Sequence, residues 1–217
     1  HQAMAILASA IITSLRSILL DPSPGVTWTD ARLLALLNEG ERAIVLVKHE
    51  AYPVRAAIAL VAGTKQTITA GGVGLIEVYA NTVSKRRVTL VNRELQDAAE
   101  MYWPAATPEA DVQHYTFDPR DPTRFDVVPP NDATGSVDAL IGMTPTAIAS
   151  TASAINLLDI YEQPLKAFVL SQAYAENTER RDLVKADYYD KNWKALIGMK
   201  SASQVATPPQ QGKQGGS

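Results

Sequence analysis

The chain has 217 residues, 46% of them apolar and 20% charged, with a net charge of −3, which is the profile of a folded globular protein rather than a disordered one. It contains no cysteine, and its three histidines (His1, His49 and His114) lie far apart, so disulfides, thiolate nucleophiles and cysteine metal sites are excluded and an imidazole cluster is disfavoured. Residues 105 to 155 set Arg120 and Arg124 against seven acidic side chains, the reverse of the basic bias that phosphate contact requires of a DNA reader.

Residues 4 to 20 repeat Leu7, Ile11, Leu15 and Ile18 at helical spacing, with Ser9, Thr13, Ser14, Arg16 and Ser17 between them. The pattern predicts an amphipathic packing helix; the rival reading, a signal peptide, needs a positive start and a small-residue cleavage site. Asp21-Pro22-Ser23-Pro24-Gly25 stops this helix. Thr27 with Asp30 then offers a capping-box-like start for a second helix to about Glu50, striped by Leu33, Leu37, Ile44 and Val47. Gly40 in that stripe either admits a neighbouring helix or is a tolerated surface glycine, and His49 suits a C-terminal cap.

Beyond the second helix the punctuation changes. Ala57 to Ala62 reads as a strand, Gly63 to Gly72 as a turn and a further extended segment, and Val73 to Tyr79 as either helix or strand. Arg87 to Val91 alternates as a strand, and Glu94 to Tyr102 predicts a short helix ended by Pro104. The stretch from Val112 to Pro130 draws a β-hairpin: alternation to Phe117, two Asp-Pro steps at Asp118 and Asp121, then a second strand from Phe125 that Pro129-Pro130 should end. After a loop at Asn131 to Gly135, Val137 to Met143 reads as another strand, and residues 144 to 158 read as a connection.

From Gln163 to Ile197 no glycine or proline follows Pro164, and Leu165, Phe168, Gln172, Leu183, Ala186, Tyr189, Trp193 and Ile197 form an imperfect apolar seam. This predicts one long C-terminal helix, a rod of about 50 Å, with i,i+4 pairs Glu162 with Lys166, Glu176 with Arg180 and Asp187 with Lys191. Lys200 to Ser217, rich in Gln, Gly, Ser, Pro and Thr, reads as an extended tail.

Chemical motifs are sparse. Ala70-Gly-Gly-Val-Gly74 lacks the Lys-Ser/Thr of a phosphate loop. Asp118, Asp121 and Asp126 could be imagined as hydrolase carboxylates, but Asp before Pro at a turn more simply accepts backbone N–H groups. Lys85-Arg86-Arg87 could meet phosphate, an acidic neighbouring copy or only solvent. Trp28, Trp103 and Trp193 are core or interface material, and no residue demands a cofactor.

The hairpin His114 to Pro130 resembles the corresponding stretch of phage head-tail connector, or adaptor, proteins. Trp28 to Glu39, Gly63 to Val73 and Arg87 to Leu95 agree in the same order, so the likeness spans roughly residues 26 to 175. The predicted elements make an α+β fold, a helical bundle of three principal helices with an inserted module: N-terminal helices (1–56), a β-rich module (57–143), a connecting segment with the long helix (144–199) and an extended tail (200–217). The resemblance implies a dodecameric homo-oligomer docked on the portal, with a tail or nozzle protein on the far side, and no catalytic role. Genomic DNA would pass through the channel without sequence-specific binding, and no membrane is involved. On this reading Gln204, Val205, Thr207, Pro208 and Pro209 reach the portal, while Lys85, Arg86, Arg87, Phe168, Tyr189 and Trp193 line subunit interfaces. The alternatives are a small hydrolase built on the Asp-rich hairpin, another neck or tail-completion protein, or a general DNA-binding protein.

Overall fold

A computed structural model describes residues 6–176 and 178–205 of the chain, the side chains of 199–205 excepted. Among the described residues there are five α-helices and seven strands, a mixed α/β protein. The chain divides into two compact units. One takes residues 6–40, 148–155 and 159 onward; the other takes 41–147 and 156–158.

The first unit is helical. α1 (Ala8–Leu19) buries Ala8, Ile11, Ile12, Leu15 and Leu19, and ends at Leu20 in the left-handed conformation. Ile18 lies on its exposed side, so the buried stripe is offset from the predicted one. Both ends of α1 are closed by distant residues. Ala8 and Ser9 N–H donate to the Ser153 and Thr151 carbonyls at 2.9 and 2.8 Å. At the other end Tyr174 Oη donates to the Ile18 carbonyl at 3.3 Å, and Arg180 Nη1 to those of Leu19 and Leu20 at 3.2 and 2.8 Å.

α2 (Asp30–Val47) begins two residues later than the predicted cap allows. Thr29 Oγ1, not Thr27, accepts the Arg32 N–H, and Asp30 turns its carboxylate to Arg16 instead of back to the chain. Leu33, Leu36 and Leu37 are buried in this unit, and Gly40 lets α4 close in: a Cβ there would lie 2.7 Å from Leu165 Cδ1 and 2.8 Å from Phe168 Cδ1.

The predicted rod is two helices. α4 (Glu162–Ala175) and α5 (Leu183–Val205) pack against each other as a hairpin, with Tyr174 stacked on Tyr189 and Phe168 edge-on to Trp193. The break needs no glycine or proline. Asp182 Oδ1 accepts the Val184 and Lys185 N–H groups and starts α5, while Asp182 N–H returns to the Tyr174 carbonyl. Folding back lets two apolar stripes bury each other, where a rod would leave both in water. Leu183 falls outside the stripe and is exposed. Glu162–Lys166 and Asp187–Lys191 pair as expected, but Glu176 pairs with Arg32 and Arg180 caps α1. α5 also continues through Val205, so the first residues of the expected extended tail are helical.

The second unit holds all seven strands. One sheet has the order β1-β7-β3 and the other β2-β6-β5-β4, built from β1 (Pro53–Ala59), β2 (Gly63–Thr67), β3 (Gly72–Asn81), β4 (Thr89–Leu90), β5 (His114–Phe117), β6 (Arg124–Asn131) and β7 (Ser136–Met143). One apolar cluster draws on both sheets: Ile58, Val78, Val137 and Ile141 from the first meet Tyr115, Phe125 and Val127 from the second. Val73 to Tyr79, undecided in the sequence, is strand. The Arg87 to Val91 strand shrinks to two residues, and the predicted short helix is α3 (Arg93–Ala99), followed by a 3-10 turn at Trp103–Ala105.

The hairpin forms as predicted, Phe117 opposite Phe125 and Tyr115 opposite Val127. β6 does not stop at Pro129-Pro130, however, but runs on to Asn131. The β2–β6 register shifts between Gly63 and Lys65, opposite the proline pair, so the ladder asks for no N–H there. The C-terminal part of α2 belongs to this unit; Ile44 and Val45 are buried, whereas Val47 is exposed. His49 is not a helix cap but lies in a 3-10 turn packed on two glycines. A Cβ on Gly142 would sit 2.6 Å from the His49 carbonyl oxygen, and one on Gly74 would overlap the imidazole.

Candidate assembly surfaces

Two polar constellations hold the units in shape, and neither was legible in the sequence. In the helical unit, buried Asp21 accepts the Trp28, Val26 and Thr27 N–H groups at 2.9 to 3.1 Å. Burial pushes its carboxyl upward, but these three donors outweigh burial and hold it below the ordinary aspartate range. Arg16, itself buried, donates to the Asp21 and Pro24 carbonyls and to Asp30, and Gly25 leaves the guanidinium its room. In the β unit, fully buried Glu41 accepts Asn156 N–H at 2.7 Å and Asn156 Nδ2 at 2.6 Å. Burial raises its carboxyl above the usual glutamate value even against those bonds.

Buried amides close the loops of the β unit. Asn81 Nδ2 donates to the Val112 carbonyl and its Oδ1 accepts Val112 N–H. Asn131 donates to the Glu109 and Ala110 carbonyls and accepts from Ala133 and Gly135. Gln66 binds both backbone groups of Val61. Such residues look like ordinary surface polars in a sequence, because their partners are fixed only by tertiary structure.

The Asp-rich hairpin spends its carboxylates locally. Asp118 accepts Arg120 N–H at 2.9 Å and the Arg120 guanidinium, which draws its pKa down to about 2. Asp121 faces Thr123 and Arg124, and Asp126 takes Arg93 at 2.6 Å. Each has its own partner, and among the described residues no group of His, Asp and Glu is arranged to hold a metal ion.

The predicted interface residues fall into two places. Lys85 pairs with Asp138 at 3.1 Å and Arg86 reaches Asp111 at 3.9 Å, both acids of the 105–155 region of the same chain. Arg87 bridges its backbone to Ala80 and is exposed. Phe168, Tyr189 and Trp193 are half-buried within the α4–α5 hairpin. Of the expected portal-contacting residues, Gln204 and Val205 lie on the last turn of α5, and Thr207, Pro208 and Pro209 lie outside the described residues. No helix among the described residues is long and apolar enough to cross a membrane.

A family model described as SU10 adaptor protein matches residues 7–212. The chain belongs to the SU10 adaptor protein family. SU10 adaptors are phage head-tail adaptors, so the chain is a structural component of a virion that works by contact with other virion proteins. The match covers both units of this SU10 adaptor. No curated protein matches it.

Proposed function

We propose that this adaptor forms a twelve-fold ring beneath the portal, with the double-stranded genome passing through its centre and a tail or nozzle protein on its distal side. Membership of the SU10 adaptor family over residues 7–212 carries the reading. The structure supports it through what its polar groups do: the acidic side chains of the hairpin are used in local pairs rather than gathered at one point. The acidic balance of residues 105–155 suits a channel that lets a polyanion slide rather than one that grips it. Gln204, Val205, Thr207, Pro208 and Pro209 are the proposed portal contacts, and Lys85, Arg86 and Arg87 with the rims of Phe168, Tyr189 and Trp193 the proposed lateral ones.

Electron microscopy of the protein mixed with the portal ring of the same virion tests this. The expected result is twelve-fold density added to one end of the portal and its loss when residues 200–217 are deleted. Failure of the full-length chain to associate under any assembly condition overturns the reading.

A further inference from the structure

α3 is built inside out. Asn92 Oδ1 caps it by accepting Glu94 N–H at 2.7 Å, Arg93 ties it to Asp126, and Asp97 accepts Trp103 Nε1–H at 2.7 Å, so polar side chains face the protein. None of its seven residues is buried. Leu95 on it is 71% exposed, and so are the large apolar side chains that flank it in the chain: Leu90 before it, and Met101 at 75% and Tyr102 at 77% after it. A helix this short is marginal without packing, and four large apolar side chains left in water within thirteen residues of chain mark a contact surface. Glu94 and Glu100 are exposed at its rim.

α5 carries a second unpartnered face. Ala186, Trp193 and Ile197 turn toward α4, and on the opposite side Val184, 81% exposed, Tyr188, 63% exposed, and exposed Ala195 follow one another at helical spacing. Exposed Arg181, Lys185 and Lys191 flank this outer stripe, with Asp187 held by Lys191. One surface is apolar with an acidic rim and the other is apolar with a basic rim, in the same polypeptide.

We infer that the α3 face of one copy docks on the outer face of α5 in the next copy. Because the two surfaces differ, the contact is heterologous: every copy uses each face once, and the chain of contacts closes when the rotation per subunit closes. The charged rims select the orientation and the apolar centres supply the adhesion. This inference rests on the ring reading above and adds a lateral contact to those proposed there, on other residues.

Two single-face variants test it, Leu95→Asp and Tyr188→Asp, each at an exposed position and each expected to keep the wild-type melting midpoint. Sedimentation velocity should show self-association weakened at least about tenfold in either variant. An equimolar mixture should yield a discrete heterodimer and nothing larger, because the Leu95→Asp chain keeps an intact α5 face and the Tyr188→Asp chain an intact α3 face. Reversing Glu94 and Glu100 to Lys should likewise weaken assembly, and adding Lys185→Glu with Lys191→Glu should restore it. Variants that form rings like the wild type, or a mixture that stays monomeric, overturn this inference while leaving the ring intact as a reading. A wild-type chain that never assembles, alone or on portal rings, overturns both.

Discussion

Asp21 shows how much one side chain can organise. Its carboxylate gathers three N–H groups from the turn that leads into α2, and replacing it with Ala leaves those donors without their acceptor, a loss of about 3 kcal/mol read by denaturant unfolding. Its pKa is lowered on folding, so its contribution is complete above the unfolded aspartate value near 4 and is lost as pH falls through the folded one. The stability gap between wild type and Asp21→Asn should therefore be widest at neutral pH and narrow as unfolding is repeated below about pH 4. Gly40→Ala forces a methyl within 3 Å of Leu165 and Phe168, an overpacking cost of about 1 to 3 kcal/mol. The sequence could raise Gly40 as a close-approach site because helical spacing put it in the apolar stripe. It gave no hint of Asp21, whose partners lie five to seven residues away in a loop without periodicity.

Among elements, the β5–β6 hairpin was legible and the α4–α5 hairpin was not, and the difference is chemical. Proline at positions 119 and 122 removes donors and fixes the backbone, so the turn between β5 and β6 is written in covalent structure. The break between α4 and α5 rests on the Asp182 carboxylate and on the mutual burial of two stripes, and polar residues 178–182 are equally at home on a helix surface. Asp182→Ala should cost about 1 kcal/mol of stability in thermal or urea unfolding, the usual price of a lost N-cap. Similarly, β6 runs through Pro129-Pro130 because it is itself irregular there: while β2 advances from Gly63 to Lys65, β6 covers Asn131 to Asp126, so the prolines between owe β2 no ladder bond.

At the scale of the whole molecule, the two units are interleaved along the chain. Residues 156–158 return to the β unit, where Asn156 gives both its N–H and its amide to buried Glu41. A fragment of residues 41–158 should therefore be more stable than one of 41–147 by about 2 to 3 kcal/mol, measured by urea unfolding, since the shorter piece strands a buried carboxylate. Equal stabilities would show that Asn156 is dispensable. Periodicity put the switch from helix to strand at residue 57, four residues after β1 begins at Pro53, and no local pattern announces that three residues far downstream complete the β unit.

The closure of α1 has a consequence for how the protein is made. α1 leaves the ribosome well before the residues that close it: its opening N–H groups are met by Thr151 and Ser153 and its final carbonyls by Tyr174 and Arg180. Most of the chain must be synthesised before that helix has its caps, and the β unit, whose residues run almost unbroken from 41 to 147, emerges in the meantime. Translation thus delivers the β unit before the helical unit can complete itself, so a chain released before Arg180 lacks that residue and also leaves α1, far upstream, without its closing contacts.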